Sequence, residues 1–160
     1  MRGLLLIELL LTLSIIALFS AYTLQGWQHQ QQRLALEDSS SALLAFLAQV
    51  HSLAEQRQQT LTVHSQRSTT GHWCLWAREL SPQTLCEATP LHWLLPHSNV
   101  RLLTTPHFPP PRFQGASGAT AATRLQLRSG PYQIRVVLSS KGRLSRCSEQ
   151  ANFTTLRSCR

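Results

Sequence analysis

The hydrophobic and polar pattern begins with a long apolar run at the N-terminus. The run extends from Leu4 to Leu24, and Glu8 is its only charged residue. A helix of this length, at about 1.5 Å per residue, covers the roughly 30 Å hydrocarbon core of a bilayer. Because it is longer than a signal-peptide core and no strong small-residue cleavage site follows, the pattern favours a retained span. Arg2 in front predicts a cytoplasmic N-terminus and an exported remainder.

Glu8 is the exception within this run. A carboxylate in a lipid-facing helix is costly, so its default interpretation is functional. The alternative is that Glu8 lies near the end of the span and reaches the membrane surface at little cost. The functional interpretation requires a cationic partner, and cleavage of the chain after Gly3 would create one, a free amino group on Leu4.

A helical pattern continues beyond the span. The residues from Gln28 to Gln32 are polar, and no proline interrupts the chain between Leu4 and Gln59. Apolar residues then recur at helical spacing: Leu43, Phe46, Leu47, Val50, Leu53 and Ala54. The pattern predicts one long helix with a membrane half over residues 4–24 and an amphipathic half over residues 25–59. Gly26 and Ser39–Ser41 are its expected weak points.

From Thr60 the pattern changes to short runs typical of strands, bounded by turn residues. The predicted strands are TLTVHS, HWCLWAREL, VRLLTT, TRLQLRS and YQIRVVLS. The stretch TTPHFPPPRFQGASGATAA between the third and fourth predicts a loop because of its proline and glycine content. No strand signal follows Ser148. About 100 residues remain after the helix, enough for one small β-rich head over residues 60–160.

Four cysteines follow the span, at positions 74, 86, 147 and 159. An even number in an exported domain predicts two disulfides in an oxidising compartment. Three pairings are possible, and the equal spacing of twelve residues favours Cys74–Cys86 and Cys147–Cys159. A zinc site is disfavoured because the sequence has no C-x-x-C motif.

The basic charge is concentrated near the C-terminus. The formal net charge is +8, and residues 121–160 hold eight basic residues against one acid, Glu149. Alternation in TRLQLRS and YQIRVVLS predicts that their arginines share one sheet face. The candidate binding residues are Arg124, Arg128, Arg135, Lys141, Arg143 and Arg146. Three interpretations are open: a solvated surface, contact with acidic neighbours, or binding of double-stranded DNA through its phosphates.

No enzymatic motif is present. The seven histidines are scattered, with no H-x-x-x-H or H-E-x-x-H spacing, and Asp38 is the only aspartate. The aromatic side chains of Trp73, Trp76 and Trp93 are expected to pack in the core. The sequence therefore predicts no enzymatic activity, no cofactor or metal, and no small-molecule substrate.

The N-terminus carries a family resemblance. Gly3 followed by LLLIELLLTLSIIAL resembles the N-terminus of type IV pilins and type II secretion pseudopilins. The resemblance implies that residues 1–3 are a leader, that a prepilin peptidase cleaves between Gly3 and Leu4, and that the new amine on Leu4 is methylated. It also implies that Glu8 pairs with the N-terminal amine of a neighbouring subunit.

The head has its own resemblance. The landmarks are GWQHQQQ after the span, WCLW with a cysteine twelve residues later, and KGRLSRC with another cysteine twelve residues later. They resemble the GspH/FimT group of minor pilins and pseudopilins, most closely the prepilin peptidase-dependent protein A type. The resemblance implies an α+β fold, in which a long N-terminal transmembrane and amphipathic helix packs on a small antiparallel β-sandwich head.

The same resemblance implies a function. A minor pilin or pseudopilin of this group would start the assembly, or cap the tip, of a type IV pilus or a type II secretion pseudopilus. It would lie in the bacterial inner membrane with a periplasmic head. Its partners would be other minor and major pilins or pseudopilins and the prepilin peptidase. GRLSRC resembles the Gly-Arg-x-Arg turn of minor pilins that bind DNA during natural transformation, so DNA uptake is the alternative function.

Overall fold

One long helix is followed by nine short strands in the computed structural model, which describes residues 2–68, 71–78, 86, 89–103, 109–150, 153 and 155–159. Within helix α1, the side chains of residues 2–6 and 21–25 lie outside this description. The elements are α1 Arg2–Arg57, β1 Thr60–Arg67, β2 Trp73–Arg78, β3 His92–Leu94, β4 Arg101–Leu103, β5 Arg112–Gln114, β6 Thr123–Ser129, β7 Tyr132–Leu138, β8 Leu144–Ser148 and β9 Arg157–Ser158.

The helix is continuous, although weak points were expected at Gly26 and Ser39–Ser41. The serines do not interrupt it because Ser39 and Ser40 are buried in the head, and the Ser40 hydroxyl donates to the carbonyl of Glu37 at 2.9 Å. The helix ends where Gln58 adopts a φ of +53°. The amide of Gln59 then donates to the carbonyl of Ala54 at 3.1 Å, which closes the last turn.

The strands form two sheets. The four-stranded sheet has the order β3-β2-β1-β5, and the five-stranded sheet has the order β4-β6-β7-β8-β9. Every pairing is antiparallel except that of β8 with β9, which is parallel. Helix α1 contacts β1 and β5 of the first sheet and β6, β7 and β8 of the second. These observations confirm the predicted α+β class.

A single large cluster of apolar side chains joins the helix to both sheets. Its largest fully buried members are Leu36, Leu43, Leu47, Val50, Val63, Leu75, Phe113, Leu127, Ile134, Val136 and Leu138. The cluster also contains Phe46 and Ala54, so it holds every residue of the predicted amphipathic stripe, with Leu53 only partly buried at its edge. The second half of the helix is therefore the central element of the head.

Four strands lie where no strand was expected. Strand β3 falls between the predicted strands HWCLWAREL and VRLLTT, and β5 falls inside the predicted loop. Strand β8 overlaps the segment GRLSRC, and β9 falls in the C-terminal tail. The proline-rich segment is held at β5 because Phe113 is fully buried and pairs with Leu61. Gly115 follows, and a Cβ there would lie 2.6 Å from the amide nitrogen of Gln59. The predicted strand ends at residues 79–80 and 104–105, and the start of the predicted loop at 104–108, lie outside the described residues.

Candidate functional site

The described side chains in the first half of helix α1 are exposed to solvent. Residues 7–20 are all exposed, and the large apolar side chains among them are Ile7, Leu9, Leu10, Leu11, Leu13, Ile15, Ile16, Leu18 and Phe19. Contact with the head is seen at His29, whose ring lies 6.2 Å from that of Tyr132. Buried helical residues begin at Ala35. The helix between Ile7 and Gln28, about 33 Å at 1.5 Å per residue, therefore projects from the head.

Three hydroxyl groups among the described side chains of this projecting segment are satisfied within the helix. Thr12 donates to the carbonyl of Leu9 at 2.9 Å, and Ser14 donates to that of Leu10 at 2.8 Å. Ser20 donates to the carbonyl of Ile16 at 2.8 Å. Bonds of this kind let a helix enter an apolar environment without unpaired hydroxyls.

Glu8 differs from these hydroxyls. Its side chain is exposed, and among the described residues it has neither an ion pair nor a hydrogen bond. Its carboxylate would need a partner from outside these residues if the helix were buried among apolar groups. Gly3 and Leu4, the predicted cleavage and methylation positions, belong to α1, and the side chain of Leu4 lies outside the description.

The predicted membrane half, residues 4–24, includes positions whose side chains are not described. Within the described residues, no helical segment combines the length and apolarity that a membrane crossing requires.

A second candidate is the outer face of the five-stranded sheet, which we call the arginine face. Register places five arginines on it: Arg101, Arg124, Arg128, Arg135 and Arg157. Directly paired residues share a face, and residues two apart on a strand do as well. Arg101 pairs with Arg128, while Arg124 and Arg128 flank the pair Gln126–Arg135. The predicted sharing of one face by the β6 and β7 arginines is thus observed.

An intrachain ion pair lies on the arginine face. The guanidinium of Arg135 pairs with the carboxylate of Glu149 and donates a hydrogen bond to it. The Arg128 guanidinium donates through Nε to the carbonyl of Gly130 at 3.1 Å. Like charges directly opposite across two strands repel each other, so the exposed pair Arg101–Arg128 favours an external anion.

Sequence reasoning missed Arg101 and Arg157. Arg101 reaches the face because β4 pairs with β6, twenty-odd residues later in the chain, and Arg157 reaches it because β9 pairs with Cys147. The alternation of Arg101 with Leu102 in VRLLTT was an available signal for the first residue. No comparable signal exists for a strand of two residues.

Arg146 does not belong to the arginine face. It pairs with the buried Val136, and its guanidinium Nη1 donates to the hydroxyls of Ser40 at 3.1 Å and Ser41 at 2.7 Å. Its side chain therefore faces the helix and joins α1 to strand β8. The sequence alone groups Arg146 with the other basic candidates and gives no signal of this contact with the helix.

Lys141 and Arg143 are exposed in the turn between β7 and β8. The turn is formed by Gly142, which has a φ of +76° and donates from its amide to the carbonyl of Ser139 at 3.0 Å. A Cβ on Gly142 would lie 2.7 Å from Cε1 of His51. Glycine at this position thus lets the turn pack closely against the helix while both basic side chains remain accessible.

The structure joins Cys74 to Cys86 and Cys147 to Cys159, with Cα separations of 6.2 and 4.9 Å. These are the local pairs that the equal spacing favours. The first lies in a small buried cluster with Trp76, and Trp73 and Trp93 pack on the edge of the main core. The second begins on the arginine face at Cys147 and anchors the chain end beside β8.

Among the described residues, no group of three or more histidine, cysteine, aspartate or glutamate side chains is arranged to hold a metal ion.

Comparison with known proteins shows a family match. The model of the family described as type II transport protein GspH matches residues 39–142. The matched region starts at the buried serines of the helix and ends in the β7–β8 turn, so it covers the core of the head. No curated protein and no solved structure matches the chain.

Proposed function

Because the chain belongs to the GspH family of type II transport proteins, we propose that it acts as a minor pseudopilin that helps to start or cap a type II secretion pseudopilus. Membership of this family supports the pseudopilin role and an assembly with other pseudopilins. It favours the secretion machinery over the type IV pilus that the N-terminal motif left open. The proposed orientation has a cytoplasmic N-terminus, an inner-membrane anchor and a periplasmic head.

The observation that carries the proposal is the exposed first half of helix α1. The large apolar side chains of Ile7, Leu10 and Leu18 are more than half exposed, and burying each would contribute about 1.5–3 kcal/mol. Lipid before assembly, and neighbouring helices after it, would cover these side chains. The satisfied hydroxyls of Thr12 and Ser14 suit both environments.

Glu8 would then determine how the helix of one subunit packs against the helix of its neighbour. We assign its carboxylate to the amine of Leu4 on a neighbouring subunit, exposed when a prepilin peptidase removes residues 1–3. A charge buried among apolar helices is tolerated only as part of a pair. This pairing would fix the axial position of one helix against the next.

The test replaces Glu8 by Gln in the full-length protein, expressed with its partner pseudopilins. We expect cleavage after Gly3 to continue, as measured by the N-terminal mass, and co-purification with other pseudopilins to fall by about tenfold or more. Glu55→Gln, an exposed acid at the other end of the same helix, is the matched control. Normal assembly of Glu8→Gln would exclude the pairing.

A second function, DNA binding by the head, is favoured by the arginine face. Arginine matches phosphate oxygens through paired N–H groups, and a one-sided cluster is the electrostatic pattern of nucleic-acid binding. Arg124 and Arg128 are exposed on it, and Lys141 and Arg143 add charge at the neighbouring turn. Arg146, bound to the helix, would not contribute directly.

The DNA test measures binding of a duplex to the full chain in detergent at increasing salt. If DNA binds this face, the double variant Arg124→Gln, Arg128→Gln should reduce the slope of log affinity against log salt by about two. The control is Arg57→Gln, Arg112→Gln, which removes the same charge from exposed positions elsewhere. If both double variants lost the same amount of DNA affinity, the binding would depend on the net charge of the protein and not on the arginine face.

A further inference from the structure

A cleft with a cationic lining is formed by residues from both sheets and from the segments next to them. Its volume is about 430 Å³, within the range of small-ligand sites. One wall is the end of the β1–β2 hairpin, and the other is the segment that leads from β3 into β4. Its polar and aromatic lining consists of Arg67, His72, Trp73, His97, Ser98 and Arg101.

The charged and titratable side chains of the lining are all basic. It includes two arginines and two histidines and no acidic residue among the described positions. Arg67 lies over the ring of Trp73, with the guanidinium carbon 5.5 Å from the ring centroid. This cation–π contact orients the guanidinium without neutralising its charge.

One histidine of the lining is already engaged. His97 Nε2 lies 2.9 Å from Oδ2 of Asp38, so the helix holds the β3–β4 segment in place. Arg101, at the start of β4, has no ion pair within the described residues, and it directly opposes Arg128. The cleft therefore presents Arg67 and Arg101 as cations whose charges the described residues do not balance.

Strand β4 adds a backbone feature to this site. It is an edge strand of the five-stranded sheet, and an edge strand presents unpaired N–H and C=O groups to an extended chain. A partner lying along β4 would place alternate side chains toward Arg101. Trp73 and Leu95 in the lining offer apolar contact to aliphatic side-chain stems.

We propose that this cleft binds an extended polypeptide segment of a partner protein that carries aspartate or glutamate side chains. Carboxylates match guanidinium groups through paired N–H donors. An extended peptide can pair with the edge of β4 and also enter the cleft. A DNA duplex would contact only the rim of the cleft. The inference goes beyond the proposed assembly role because it concerns the head and a partner's acidic segment, and not the projecting helix.

The test uses dye-labelled hexaglutamate and the full-length chain in detergent, with hexaglutamine carrying the same dye as the neutral control. We expect hexaglutamate to bind and hexaglutamine not to bind. The double variant Arg67→Gln, Arg101→Gln should weaken binding at least about tenfold. The variant Arg57→Gln, Arg112→Gln, with equal charge loss outside the cleft, should change it less than about twofold.

A second readout locates the peptide. The indole N–H resonance of Trp73 should shift on addition of hexaglutamate and stay unchanged with hexaglutamine. Absence of hexaglutamate binding, or equal weakening in both double variants, would overturn the proposal. So would duplex DNA that binds through Arg67 and Arg101 while the peptide does not, because the site would then belong to nucleic acid. The Glu8→Gln experiment tests the proposed assembly role of the projecting helix. A negative result there would not change the result expected for peptide binding by the head.

Discussion

The two halves of helix α1 use apolar side chains for different purposes. In the first half, Leu10 is 61% exposed, and in the second half, Leu47 is 1% exposed. The difference lies in the neighbours, because the second half packs against strands of both sheets and the first half projects beyond them. The second half of the helix thus forms part of the hydrophobic core of the head. By our proposal, the first half forms an assembly surface for other subunits.

The largest expected effect comes from removing the same side chain in each half. Leu47→Ala should lower the free energy of unfolding of the head by about 2–5 kcal/mol, because it leaves a cavity in the core. Leu10→Ala should change it by less than about 0.5 kcal/mol. Chemical denaturation of the full chain in detergent, followed by near-ultraviolet circular dichroism, measures both. Comparable losses would show that the first half also stabilises the head.

An intermediate effect is expected at the contact between the second half of the helix and the five-stranded sheet. Arg146→Ala removes the hydrogen bonds to Ser40 and Ser41 and should destabilise the head by about 1–2 kcal/mol. Arg128→Ala, on the exposed arginine face, should cost less than about 0.5 kcal/mol. The same denaturation measurement applies. A larger cost at Arg128 would contradict the assignment of the two arginines to opposite faces.

The helical pattern and the β6–β7 hairpin could be predicted from sequence because each has a regular period over many residues. The stripe through Leu43, Leu47 and Val50 is the buried face of the helix, and Leu127 and Ile134 face the core as their alternation indicates. The faces of β6 and β7 place Arg124, Arg128 and Arg135 together.

The short strands could not be predicted in this way. Strand β5 has three residues, so its one buried side chain, Phe113, defines no period. The face of Arg146 depends on the register of β8 against β7, and a shift of one residue would reverse it. That register is set by tertiary pairing, including that of Leu138 with Leu144. The cleft could not be predicted from sequence because Arg67 and Arg101 are far apart in the chain and line the same cleft only after folding.

The smallest expected effect is at Gly26, in the projecting region. A Cβ at this position would meet no atom within 4 Å. Gly26→Ala should therefore favour the helix by about 0.5–1 kcal/mol, since alanine loses less backbone entropy. Hydrogen exchange of the amides around residue 26 should slow by a factor of about two to five. Faster exchange would mean that glycine is needed there for a contact outside this chain.

The contrast between the two halves of the helix is tested most directly by photo-crosslinking in cells that express the secretion system. A photoreactive amino acid replaces Leu18 in the projecting half or Gln49, an exposed position of the head half. The account predicts crosslinks from position 18 to another pseudopilin, lost in Glu8→Gln, and none from position 49. Equal crosslinking at both positions, or none from position 18, would contradict the claim that the first half of the helix is the assembly surface.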